Sequence, residues 1–257
     1  MDARAWKAET GVFLAVAFMA AGALGAVQPA TGIPDEVVQL TQFGPAAGVL
    51  TVALLWPRRI RARLAGTLTA PVRTGPAVWL LLTAPLIIAL AAGAYGLAHG
   101  DAVVTDPRSL GHPFALIVVA QLVGACGEEI GWRCWLQPLL SVRFGPLTAS
   151  VVVGLLWGVW HVQVFAQAPA YAAGFLVATV AMSVVLGLGL ERIRAGRLAL
   201  AGGFHTLVNL GMLLFMDEES GAVPPMLLFG GACVLAAVPW VLGTAGVTIA
   251  AARRGAL

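Results

Sequence analysis

PFALIVVAQLVGACGEEIGWRCWLQPLL, residues 113–140, is long and apolar enough to cross a lipid bilayer, yet it carries Glu128, Glu129 and Arg133 near its middle. A span needs about 20 mostly apolar residues, because roughly 30 Å of hydrocarbon is covered at about 1.5 Å per residue. This stretch would make roughly 42 Å of helix, so it must tilt or protrude. A charge near the bilayer centre costs roughly 2.5–3.5 kcal/mol on insertion scales. Three unpaired ones would cost on the order of 8–10 kcal/mol, comparable to the whole stability of a domain, about 5–15 kcal/mol. Ionisable groups placed there are functional candidates whose partners must be found.

The rest of the chain has the same character. Of its 257 residues 60% are hydrophobic and 11% charged, too little charge for a soluble domain of this size. Eight spans are expected: 10–28, 37–56, 77–98, 113–140, 146–167, 170–190, 198–216 and 225–250. The segments are continuously apolar rather than alternating, which selects helices over a barrel. The first run is too long for a signal-peptide core, and further spans follow it. The expected fold is all-α and polytopic: a single integral membrane domain over 1–257. Within it lie scaffold helices in 1–112, a core in 113–216 and a C-terminal helix with a basic tail in 217–257.

The basic residues orient the chain. Arg4, Lys7, Arg58, Arg59, Arg61, Arg63, Arg73, Arg143, Arg192, Arg194, Arg197, Arg253 and Arg254 all fall on one side if the chain crosses eight times. Only Arg108 falls in an opposite loop, and those loops carry Asp35, Glu36, Asp101, Asp106, Asp217, Glu218 and Glu219. The positive-inside rule then places both termini in the cytoplasm. The net charge of +3 reflects this topology and not nucleic-acid binding. The Arg58–Arg63 run reads as a stop-transfer and orientation signal, with acidic headgroups as a second reading. Arginine heavily outnumbers lysine, and with abundant Ala and Gly this favours a bacterial plasma membrane. Spans one to three hold no intramembrane charge and read as scaffold.

Two further polar constellations lie on separate helices: Trp157-x-x-x-His161 in span five and His205-x-x-x-Asn209 in span seven. Residues four apart share a helix face. Glu129 and Arg133 are also four apart, with the acid first, the favourable order for a helical ion pair. Glu128 points about 100° away and is left over. Three polar faces at similar depth imply one shared pocket. There a desolvated Glu128, hydrogen-bonded to His161, can deprotonate a water, while His205 and the Asn209 amide donate to a developing oxyanion. These are the parts needed for water attack on a peptide carbonyl. Cys126, Cys134 and Cys233 show no metal spacing and read as small packing residues.

The motifs Glu128-Glu129-Ile130-Gly131-Trp132-Arg133, Trp157-Gly158-Val159-Trp160-His161 and His205-Thr206-Leu207-Val208-Asn209 resemble those of the CPBP family of intramembrane peptidases. That family includes the type II CAAX prenyl endopeptidases and bacteriocin-processing and immunity proteins. The resemblance covers residues 113–216. It implies an eight-helix peptidase with a cavity open to the cytosol. By that likeness Glu128 and His161 activate water, His205 and Asn209 hold the oxyanion, and Glu129, Arg133 and Trp157 organise the site. Trp132 and Trp157 stand where the family often has Phe, and Trp157 would narrow the cavity. No cofactor is expected. The alternatives are a zinc peptidase ligated by Glu128, His161 and His205, and a non-catalytic immunity or scaffold protein. The expected partners are a peptide or protein substrate at the membrane and the bilayer itself.

Overall fold

Apolar runs interrupted by proline and glycine fold, in a computed structural model, into helices alone, with no strand among the described residues. The structure describes residues 5–69, 75–100, 103–216 and 221–254, with side chains to residue 243. Arg4, Arg73, Asp101, Asp217, Glu218 and Glu219 lie outside these residues, as do the side chains of Arg253 and Arg254.

Helix α1 covers Ala5–Thr31, α2 Gly44–Leu55, α3 Pro57–Leu64 and α4 Gly75–His99. Then α5, Phe114–Glu129, runs through a π-helical segment, Ile130–Leu136, into α6, Gln137–Phe144. They are followed by α7 (Pro146–Trp160), α8 (Pro169–Gly189), α9 (Arg197–Phe215) and α10 (Val223–Arg254). Among the described residues six helices have membrane-crossing length and composition: α1, α4, the continuous 31-residue α5–α6 rod, α8, α9 and α10. The two other expected spans are shorter. Span two becomes a 3₁₀ turn, Leu40–Phe43, leading into α2, and span five ends as an α-helix at Trp160. At about 1.5 Å per residue the 15 residues of α7 cover roughly 22 Å, short of the hydrocarbon thickness.

The basic segments meet at one end of the bundle. Glu9, fully buried in the first turns of α1, takes Arg59 at 3.2 Å and Arg63 from α3. The Gly196 and Leu198 N–H groups donate to the carbonyls of Gly66 and Thr67. Arg143, at the end of α6, lies over the Trp6 ring. At the opposite end Thr105 N–H donates to Leu214 O, and His112 approaches Glu36 at 4.0 Å. Two expectations change here. A charge, Glu9, does lie within the first membrane-length helix. Half of the Arg58–Arg63 run neutralises it, because a buried carboxylate needs a counter-ion.

Helix packing then aligns the polar groups. Gly145, at φ +78°, lets α6 turn directly into α7, a conformation glycine adopts without strain. Gly202 brings α9 against α5: a Cβ there would lie 2.5 Å from Cys126 Sγ. Small residues allow such close crossings in membranes. The aromatic cluster of Phe13, Trp132, Trp135 and Trp160 ties α1 and α7 to the π segment, with ring centroids 4.6–6.0 Å apart. Cys126, Cys134 and Cys233 are all free thiols.

Candidate active site

The two glutamates end α5, and the chain widens into a π-helix at the next residue. Short π segments recur at functional sites because the extra residue re-aims side chains. Here Glu128 and Glu129, and then Trp132, Arg133 and Trp135, are all buried in the bundle. The carbonyl of Arg133 accepts the Arg197 Nε–H at 2.9 Å. Arg197 also donates from Nη1 to Leu190 O at 2.9 Å and Ile193 O at 3.2 Å, beyond the end of α8. One guanidinium thereby ties the entry of α9 to the π segment. Arg197 was expected only as an orientation signal, and no local pattern distinguishes it from its exposed neighbour Arg192.

Trp157 is the hub of the site. Its indole N–H donates to Glu128 Oε2 at 2.7 Å, and its ring carries the Arg133 guanidinium, with Cζ 4.4 Å from the centroid. The His205 ring packs edge-on at 5.3 Å, and the Trp157 carbonyl accepts from His161 Nδ1 at 2.9 Å. The expected direct bond between Glu128 and His161 is absent; Trp157 links them instead. His161 lies just beyond the last residue of α7, at φ −77° and ψ 63°, with a 3₁₀ turn, Val162–Ala166, following. It is therefore not on a helix face. Trp160 and Phe175 enclose its ring, at centroid distances of 4.8 and 5.0 Å.

Glu129 is bracketed. Its Oε1 accepts from His205 Nδ1 at 2.9 Å, and its Oε2 is 3.5 Å from Arg133 Nε. The Arg133 guanidinium is fully buried and makes no hydrogen bond among the described residues, so Glu129 holds it by charge and the Trp157 face by cation–π attraction. Asn209 is placed apart from this network. Its Nδ2 donates to Gln121 Oε1 at 3.0 Å, and Gln121 Nε2 donates to Glu36 O at 3.2 Å. Sequence reasoning missed Gln121, although it precedes Glu128 by seven residues, two turns along one helix face.

Hydrogen-bond direction constrains the chemistry. A backbone carbonyl only accepts, so His161 carries its proton on Nδ1 and the neutral ring presents a lone pair at Nε2. His205 gives Nδ1–H to Glu129 and donates from Nε2 only as the imidazolium, whose counter-ion is that same carboxylate. Likewise Glu36 O fixes the Gln121 amide, which fixes Asn209 with its NH₂ toward Gln121 and its second N–H uncommitted. Among the described residues no three His, Cys, Asp or Glu side chains group as metal ligands.

Membrane-length helices surround a buried carboxylate–imidazole network in a polytopic protein. Residues 110–211 match the family model described as type II CAAX prenyl endopeptidase Rce1-like, so over this segment the resemblance carried by the three motifs holds. Similar curated proteins are named Lysostaphin resistance protein A, from Staphylococcus aureus strains MRSA252, bovine RF122 / ET3-1 and Newman. Each is 24% identical over 219 residues, covering 84% of this chain and 52% of the relative. The chain thus spans about half the length of the curated relatives it matches.

Proposed function

We propose that this protein is a glutamate-dependent endopeptidase that cleaves a peptide bond at or near the membrane by activated-water attack. The observation that carries this reading is the convergence of Glu128, Trp157, His161, Glu129 and His205 on one buried network. In the reaction, Glu128 takes a proton from water, which the His161 Nε2 lone pair helps to orient. The hydroxide bonds to the peptide carbonyl carbon, and the carbonyl π electrons move to its oxygen. His205 Nε2–H and the second Asn209 N–H donate to that oxyanion. Collapse expels the amine, which takes the proton held by Glu128. Trp157 holds the base in place, and Glu129 with Arg133 holds His205.

The reading extends to location. The basic end is proposed to face the cytoplasm of a bacterial cell, with the site opening toward it. The reading is tested by profiling peptide cleavage in nanodiscs with wild-type protein and with the Glu128→Ala/His161→Ala double variant. New N termini should form with wild type alone and persist after chelation. The relatives are named for resistance, and a second reading is that this chain confers resistance or immunity without cleaving a substrate. Full resistance conferred by the double variant would select it.

Trp157→Phe keeps an aromatic face for Arg133 but removes the N–H on Glu128 together with part of a buried indole. A hydrogen bond to a charged group contributes about 1.5–3 kcal/mol, so kcat should fall about 10- to 100-fold, and the space left in the core should lower the melting temperature as well. Gln121→Leu frees the Asn209 amide to rotate. Here kcat should drop about ten-fold with KM unchanged, measured on the same peptide.

A further inference from the structure

We propose that the groove between the start of α1 and the end of α6 binds the phosphate headgroup of an anionic phospholipid. The groove has a volume of about 400 Å³ and is lined by Trp6, Val142, Arg143 and Phe144. Two cations converge on one indole there: Arg143 Cζ is 4.5 Å and Lys7 Nζ 6.0 Å from the Trp6 ring centroid. Neither is paired with a carboxylate among the described residues. Glu9, two residues from Lys7, is already taken by Arg59 and Arg63. Arg143 Nε is buried without a hydrogen-bond partner. Like charges beside one ring repel, and a planar guanidinium with unused N–H groups suits a phosphate; an anion seated between them satisfies both needs.

The surroundings select the lipid over free phosphate. Val142 is 78% and Phe144 49% exposed, on the outside of the bundle. Phe144 meets Trp6 edge-on at 6.0 Å. Aromatic rings of this kind prefer the headgroup level. The ligand must therefore be anionic at one end and apolar at the other. The site lies at the same end as the exposed Arg58 and Arg61, but it differs from them in having a ring platform and a concave wall. It has no part in the proposed peptidase chemistry.

Native mass spectrometry of the detergent-purified full chain, titrated with phosphatidylglycerol or phosphatidylcholine, tests the proposal. Wild type should retain one phosphatidylglycerol in preference to phosphatidylcholine. Arg143→Gln should weaken that retention about ten-fold, the loss expected for one charge-assisted hydrogen bond. Arg58→Gln/Arg61→Gln should leave it unchanged. Equal retention of the two lipids, or wild-type retention by Arg143→Gln, overturns the proposal. So does displacement of the lipid by inorganic phosphate at equal concentration, which would mark a simple anion site. If Arg143→Gln fails to fold, Trp6→Leu removes the platform and leaves both charges; unchanged lipid retention in that variant is equally fatal.

Discussion

Glu128→Gln is expected to lower the cleavage rate by about 10²- to 10⁴-fold, the range that a positioned general base contributes. The substitution is nearly isosteric, and the glutamine carbonyl still accepts the Trp157 indole N–H that now reaches Glu128 Oε2 at 2.7 Å. Helix packing, the Arg133–Glu129 pair and the position of His161 should therefore persist, and the thermal melt should match wild type. What disappears is the group able to accept a proton from water. Single-turnover cleavage in nanodiscs separates this from substrate binding: the rate should collapse while the substrate concentration at half-saturation stays put. A single-turnover rate within a few-fold of wild type would remove Glu128 from the mechanism.

The second large effect concerns folding. Glu129→Ala leaves the Arg133 guanidinium fully buried without its counter-ion, and removing one partner of a buried pair costs about 3–5 kcal/mol. That is a large part of a typical net stability, about 5–15 kcal/mol, so folded yield and melting temperature should both fall sharply. Glu129→Ala/Arg133→Met discards the stranded charge as well and should regain most of the lost stability. It should remain inactive, because His205 Nδ1 has lost its acceptor. If both variants are equally unstable, the damage lies in packing and the counter-ion role of Glu129 is wrong.

The helical fold and the identity of the polar residues were legible because lipid makes charge conspicuous. Glu128, Glu129, Arg133, His161 and His205 stand out against runs of Val, Leu and Ala, and hydropathy finds the six membrane-length helices to within several residues. What escaped were features that leave polarity unchanged. No proline marks the end of α7 at Trp160, so His161 read as part of a helix face. One extra residue per turn over Ile130–Leu136 is invisible to a pattern of three- and four-residue spacings. Trp157 stands four residues before His161, yet the direction of its N–H, and hence its bond to Glu128, depends on χ angles that spacing does not report. Gln121 is uncharged and raised no alarm. Glu9 lies one residue before the expected first span, 10–28, and its partners on α3 are about fifty residues away.

The π segment between the glutamates and Gln137 holds one residue in reserve. Each α-helical residue advances a helix by about 100°, and the wider π turn takes up the surplus residue, so deleting one position from Ile130–Leu136 would let the backbone regularise with the downstream helix nearly in phase. Gln137 would keep its bond to Ser150 on α7, while the Arg133 carbonyl would return to the helical ladder and leave Arg197. A single-codon deletion here, chemically silent by composition, should thus spare the packing of α6 and release the anchor at the entry of α9.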